Sequence, residues 1–126
     1  MRHTTMPSGL QVISEHIPHV RTVTLGIWVK AGTFSEAEDE AGLSHFLEHM
    51  FFKGSQARSA REIVEAFDNI GGELNAYTSK EYTCFYAKVI DEHMPLALDV
   101  MLDMLCRPAF VAEDVEKEKQ VVLEEI

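Results

Sequence analysis

The feature that most constrains this chain is the apolar run around HFLEHMFFKG, residues 45–54, which predicts a helix over residues 41–52. At about 100° per residue, the apolar side chains of this helix cover one side, and His45, Glu48 and His49 fall together on the opposite side. The apolar side predicts packing against a core. The polar side needs a separate explanation, because packing alone does not require two histidines and a glutamate there.

The spacing of the two histidines is typical of a metal site. His45 and His49 are four residues apart, so their rings project from one helix face, where both can bind one zinc ion. Glu48 lies beside them and is not needed as a ligand. A competing interpretation leaves the histidines as hydrogen-bonded residues at a surface or interface. A third ligand would favour zinc, because catalytic zinc usually takes three protein ligands and one water.

The last predicted helix, from about residue 113 to the chain end, offers carboxylates for that third position. Its buried stripe includes Val115 and Val122, and Glu118 and Glu125 fall beside this stripe. Glu124 falls on the solvent side. A carboxylate at the edge of a core needs a partner, because burial of an unpaired charge is costly. Zinc would be such a partner.

The other patterns predict an α+β fold in which helices pack on one face of a mainly antiparallel sheet. Residues 10–17 and 22–30 are predicted to be paired strands, joined by a turn at Pro18 and His19. The remaining predicted elements are a helix over 60–70 with Ser59 as its N-cap, a hairpin within 73–90 and a helix over 91–106. No linker divides the chain, so one domain unit is predicted.

Composition narrows the classes of partner. The net charge of −10 argues against nucleic acid and against an anionic membrane surface. No stretch approaches the roughly 18 consecutive apolar residues of a membrane span, and the two cysteines have no metal-site spacing. We therefore expect a soluble cytoplasmic protein.

Taken together, these residues resemble the inverted-zinc-motif (HxxEH) metallopeptidases, the family of pitrilysin, insulin-degrading enzyme and mitochondrial processing peptidase. The resemblance runs over essentially the whole chain and is closest to the processing-peptidase-like branch. It consists of HFLEH at 45–49, a glutamate at 125 after a spacer of 75 residues, FFKG, and the segment GGELNAYTSKEYTCFY.

The resemblance implies a zinc-dependent endopeptidase that acts on peptides or unfolded protein segments. Its metal ligands would be His45, His49 and Glu125, which bind Zn²⁺. Glu48 would be the general base that activates the zinc-bound water for attack on the scissile carbonyl. Glu118 would be a supporting carboxylate near the ligands.

The resemblance also implies that Asn75 and Ala76 bind the substrate backbone, by adding the substrate as a strand at a sheet edge. A plain hairpin strand is the alternative for these two residues. For the whole chain, the competing interpretations are a non-catalytic interaction or assembly subunit of the same fold and a zinc-storing protein. The last of these would not need Glu48 beside the histidines.

Members of this family are much longer than 126 residues. The resemblance therefore implies that residues 1–126 are an N-terminal fragment of the zinc-binding peptidase domain. We expect this fragment to be inactive by itself, to bind zinc weakly and to form homo-oligomers through uncovered apolar surface.

Overall fold

The computed structural model describes residues 1–125, except for the side chains of Ser35 and Glu125. Three short 3₁₀ turns, at Thr33–Ser35, Glu38–Glu40 and Asp91–His93, connect the main elements. In chain order these elements are β1 (Arg2–Thr5), β2 (Gln11–Ser14), β3 (Thr22–Val29), α1 (Leu43–Phe51), α2 (Ala60–Asp68), β4 (Glu73–Thr78), β5 (Thr83–Ile90), α3 (Met94–Cys106) and α4 (Ala112–Glu125). No helix in residues 1–125 has the length and apolar character needed to cross a membrane.

The central sheet is antiparallel and has the strand order β3-β5-β4, so β4 is an edge strand. On β5, Phe85, Ala87 and Val89 are buried, whereas the alternate residues Lys88 and Ile90 are exposed. Because side chains of a strand alternate between faces, this pattern means that one face of the sheet carries the helices. The predicted α+β architecture, with helices on one face of an antiparallel sheet, is confirmed.

The core lies between this face of the sheet and helices α2 and α3. Its members are apolar side chains that are at most 4% exposed, and α1 packs beside them through the partly buried Phe51 and Phe52. The fully packed members are Ile63, Phe67, Phe85, Ala87, Val89, Ala97, Val100, Met101 and Met104. This layer fixes the position of α1 against β4.

The predicted pairing of residues 10–17 with residues 22–30 is wrong. Strand β2 pairs with β1 in a separate two-stranded sheet, while β3 pairs with β5. A tight turn joins β1 to β2, in which the Met6 N–H donates to the Leu10 carbonyl at 2.8 Å and Gly9 has φ = 94°. Pairing with β5 is more favourable for β3, because the inward-facing side chains of β3 then pack against the same hydrophobic core as those of β5.

The other predicted elements exist, and the differences lie at their ends. The N-cap at Ser59 is confirmed, since its hydroxyl accepts a hydrogen bond from the Glu62 N–H at 3.1 Å. Helix α1 begins at Leu43 rather than at residue 41, after Gly42 with φ = 89°. Helix α3 begins at Met94, because residues 91–93 form a 3₁₀ turn ahead of it.

A carboxylate from a preceding loop caps the start of α1. Both oxygens of Glu36 accept backbone hydrogen bonds, from the Gly42 N–H at 2.8 Å and from the Ser44 N–H at 3.1 Å. Burial by itself raises the pKa of Glu36, but the bonds from Ser44 and Gly42 outweigh it and lower the pKa below its ordinary value. Gly42, at the N-cap position, has no side chain that could accept these hydrogen bonds. Glu36 accepts them instead and so caps the helix.

The segment after α1 is fixed by a buried carboxylate on α3. Asp103 is fully buried and accepts hydrogen bonds from the Ser55 hydroxyl at 2.5 Å, from Arg58 at 3.0 Å and from Arg107 at 3.0 Å. The Ser55 hydroxyl is the main cause of a lowered pKa at Asp103, and the two arginines add to it. Both ends of α1 are therefore held in place by carboxylates from other segments.

Candidate metal centre

Helix α1 brings the two histidines of the motif together. The Nε2 atom of His49 lies 2.9 Å from the Nε2 atom of His45, and the ring centroids are 4.6 Å apart. Two ligand atoms on one tetrahedral zinc, each about 2.0–2.1 Å from the metal, would be about 3.3 Å apart. Moving the two rings slightly further apart would therefore give the ligand spacing of a zinc site, so the pair fits this metal.

Glu118 on α4 holds the other nitrogen of one histidine ring. Its Oε2 atom lies 2.9 Å from Nδ1 of His49. A carboxylate can only accept here, so Nδ1 donates, and in the neutral ring Nε2 then carries the lone pair. Metal-binding histidines are typically oriented by such a bond to a carboxylate. The predicted position of Glu118 near the histidines agrees with this contact.

The charge of Glu118 is stabilised inside the protein. The residue is only 6% exposed, and its Oε1 atom accepts a hydrogen bond from Nζ of Lys53 at 2.6 Å. Burial by itself raises the pKa of Glu118, but the bonds from Lys53 and His49 outweigh burial and lower the pKa below its ordinary value. Glu118 is therefore an ionised acceptor for the His49 ring at neutral pH.

Glu48 lies on the same face of α1 and contacts the end of β4. The hydroxyl of Thr78 donates a hydrogen bond to Oε2 of Glu48. Glu48 borders two clefts, of about 300 Å³ on the His45 side and about 420 Å³ on the His49 side. The carboxylate of Glu48 would therefore lie beside a substrate bound in either cleft.

The edge strand β4 forms the opposite wall of these clefts. Ala76 lines the cleft that contains His45, and Asn75 lines the cleft that contains His49. Within β4, the Ala76 N–H donates to Oδ1 of Asn75 at 2.8 Å. The structure therefore brings both predicted substrate-binding residues to the site, at an edge of the sheet where a further strand can add.

The prediction for Glu125 as third ligand concerns a side chain outside the described residues. Its backbone ends α4. Of the predicted buried stripe of this helix, Val122 is 4% exposed but Val115 is only partly buried, whereas Glu118, predicted beside the stripe, is 6% exposed. Among the side chains that the structure describes, no three His, Cys, Asp or Glu residues are grouped as a metal site. The ligand roles of His45, His49 and Glu125 stay predictions.

The sequence patterns assign no role to two residues that contact this site. These are Thr78, in the segment GGELNAYTSKEYTCFY, and Lys53, in FFKG. The one available signal for Thr78 is the strand period, which puts it on the same face as Leu74 and Ala76. For Lys53 the signal is its spacing of four residues from His49.

Comparisons with known proteins agree on one family. Residues 11–126 match the domain described as Insulinase (Peptidase family M16). The chain is 52% identical over 126 residues to "uncharacterized zinc protease YmxG" of Bacillus subtilis and covers 31% of that protein. It is 44% identical over 125 residues to "probable mitochondrial-processing peptidase subunit beta" of Arabidopsis thaliana, of which 24% is covered.

A solved structure agrees with the fold. A protease from Helicobacter pylori superposes with a TM-score of 0.92 at 26% identity, over 98% of this chain and 30% of that protein. The chain thus spans about a quarter to a third of the length of the relatives that it matches.

Proposed function

The chain belongs to peptidase family M16, the insulinase family, and from this premise we propose that the full-length protein is a zinc-dependent endopeptidase. Its substrates are peptides or unfolded protein segments. Residues 1–126 form the N-terminal part of its zinc-binding domain. The observation that carries the proposal is the convergence of His45 and His49 at 2.9 Å between Nε2 atoms, with Glu48 on the same helix face.

In this proposal His45, His49 and Glu125 hold the metal. Zinc supplies, when bound, a Lewis acid that polarises the scissile carbonyl and lowers the pKa of water towards neutrality. The Nδ1 bond from His49 to Glu118 keeps the ring oriented with Nε2 towards His45. Two helices, α1 and α4, therefore contribute to one centre.

Glu48 is the proposed general base. Its Oε2 atom accepts a hydrogen bond from the Thr78 hydroxyl, which restrains the carboxylate. The other oxygen, Oε1, takes a proton from the attacking water and delivers it to the leaving amine. The carboxylate thus returns to its ionised form after each cycle.

Asn75 and Ala76 are proposed to align the substrate. An extended peptide that adds to the free edge of β4 would run along the wall of both clefts, past Glu48. The N–H of Ala76 now donates to Asn75, so this edge donor becomes available once the Asn75 side chain turns away. Backbone pairing of this kind favours unfolded substrates, because a folded one has no free strand to offer.

Removal of zinc tests the proposal. We expect the full-length protein to cleave an unstructured peptide, a zinc chelator to reduce the rate at least about 100-fold, and added Zn²⁺ to restore it. The rate is measured from the appearance of new amino termini. Hydrolysis that is indifferent to the chelator would contradict the proposal, and zinc binding without hydrolysis would favour an assembly subunit or a zinc-storing protein.

The 126-residue chain by itself is expected to behave differently from the full-length protein. It exposes large apolar side chains, among them Trp28 at 62% and Leu123 at 59%, which favours self-association into homo-oligomers. We also propose that it binds zinc weakly and has no peptidase activity. Light scattering and metal analysis check this prediction, and a monomer with stoichiometric, tightly bound zinc would contradict it. A cytoplasmic location stays a prediction.

A further inference from the structure

We propose that Lys53 is a positioning residue for the histidine pair, because its ammonium group holds Glu118 in the orientation that fixes the His49 ring. The proposal rests on the proposed zinc site. It adds a residue that does not bind the metal and that acts on the His49 ring through Glu118. Lys53 also lines the cleft on the His49 side, so zinc affinity rather than activity is the measurement that tests this role.

The two oxygens of Glu118 have different partners. Oε2 accepts from Nδ1 of His49 at 2.9 Å and Oε1 accepts from Nζ of Lys53 at 2.6 Å. The side chain of Glu118 is 8% exposed, against 39% for Lys53 and 23% for His49. Water therefore has little access to the carboxylate, and these two donors define its plane.

Both donors project from the same end of α1. Lys53 follows His49 by four residues, and its own backbone N–H donates to the Met50 carbonyl at 3.1 Å, which keeps it in the helical turn. Glu118 arrives from α4 and bridges the two side chains. The carboxylate cannot rotate about its Cγ–Cδ bond without weakening both contacts, so Lys53 restrains the contact at His49.

Loss of the ammonium group would leave Oε1 of Glu118 without this donor in a nearly closed position. The carboxylate would then rotate, and its hydrogen bond with Nδ1 of His49 would weaken. The His49 ring would lose its fixed orientation. Loss of an outer partner of a metal-binding histidine typically weakens metal binding about 10–100-fold. Lys53 lies one hydrogen bond further from the metal than Glu118 does, so we expect its loss to weaken zinc binding about 10-fold.

The test measures zinc affinity by competition with a chromophoric chelator, in the full-length protein. Lys53→Met should weaken zinc binding about 10-fold, and Lys53→Arg, which restores a cationic donor, should recover most of the affinity. The matched control is Lys117→Met on α4, since Lys117 pairs only with the exposed Glu113 in the described contacts. This control should bind zinc like the original protein.

A double-substitution comparison separates positioning from simple support of the fold. In a Glu118→Gln background, Lys53→Met should cause little further loss of zinc affinity, because the group through which it acts is already altered. An equal loss in both backgrounds would overturn the proposal. So would unchanged zinc affinity in Lys53→Met, even with a lowered unfolding temperature.

If Lys53→Met does not fold, Lys53→Leu provides the same comparison, because it also removes the donor to Oε1 of Glu118. It must also weaken zinc binding relative to Lys53→Arg, and equal affinities would count against the proposal. A full-length protein that binds no zinc overturns the proposed function itself. Tight zinc in the original protein and in every Lys53 variant overturns only the role of Lys53.

Discussion

Glu48→Gln in the full-length protein is expected to retain zinc and to lose peptidase activity by about 1,000-fold, within the range for a lost general base. An amide has nearly the same shape as the carboxylate and can still accept the hydrogen bond from Thr78. It cannot take a proton from water. The loss should therefore appear in kcat, with little change in the amount of bound zinc.

The matched control is Glu65→Gln, the same chemical change at an exposed carboxylate on α2 that pairs with Arg61. It should leave both zinc content and kcat unchanged. Metal analysis and initial-rate kinetics are performed on the same preparations. Activity of Glu48→Gln close to that of the control would reject the assignment of Glu48 as general base.

His49→Ala is expected to lose the metal itself. It removes one of the two converging Nε2 atoms and also the donor to Oε2 of Glu118. Loss of a direct ligand should weaken zinc binding by more than the roughly 100-fold that a lost outer partner costs. Activity should fall with the metal and should return only in part at high zinc concentration.

His16→Ala is the control for this prediction, because His16 is an exposed histidine in the segment after β2. It should bind zinc normally. Equilibrium dialysis against a range of zinc concentrations compares the two variants. Zinc affinity in His49→Ala equal to that of the control would contradict the metal centre, and a loss of activity without a loss of zinc would assign His49 a different role.

The parts of this site that follow from local periodicity could be predicted from the sequence. The placement of His45, Glu48 and His49 on one face of α1 depends only on helix geometry over five residues. The helical period also predicts Glu118 beside the buried stripe of α4, and the structure buries it more deeply than that, at 6% exposure. The resemblance to a family added the roles of these residues, which periodicity does not contain.

The parts that depend on contacts between distant segments could not be predicted in the same way. The pairing of β3 with β5 rather than β2 is a choice among strands with similar patterns, and turn signals at Pro18 and His19 favoured the nearer partner. The contacts of Thr78 with Glu48 and of Lys53 with Glu118 require β4 and α4 to pack against α1. Nothing in the local sequence encodes those distances.

The contact between His49 and Glu118 joins residues that are 69 positions apart in the chain, and this separation affects the order of events during synthesis. Both histidines leave the ribosome long before Glu118 does. Helix α1 has only nine residues, which is too short to persist by itself in water. For the proposed zinc site, we therefore expect a nascent chain without Glu118 to hold a metal ion only weakly at the motif, and zinc loading to follow the packing of α4 against α1.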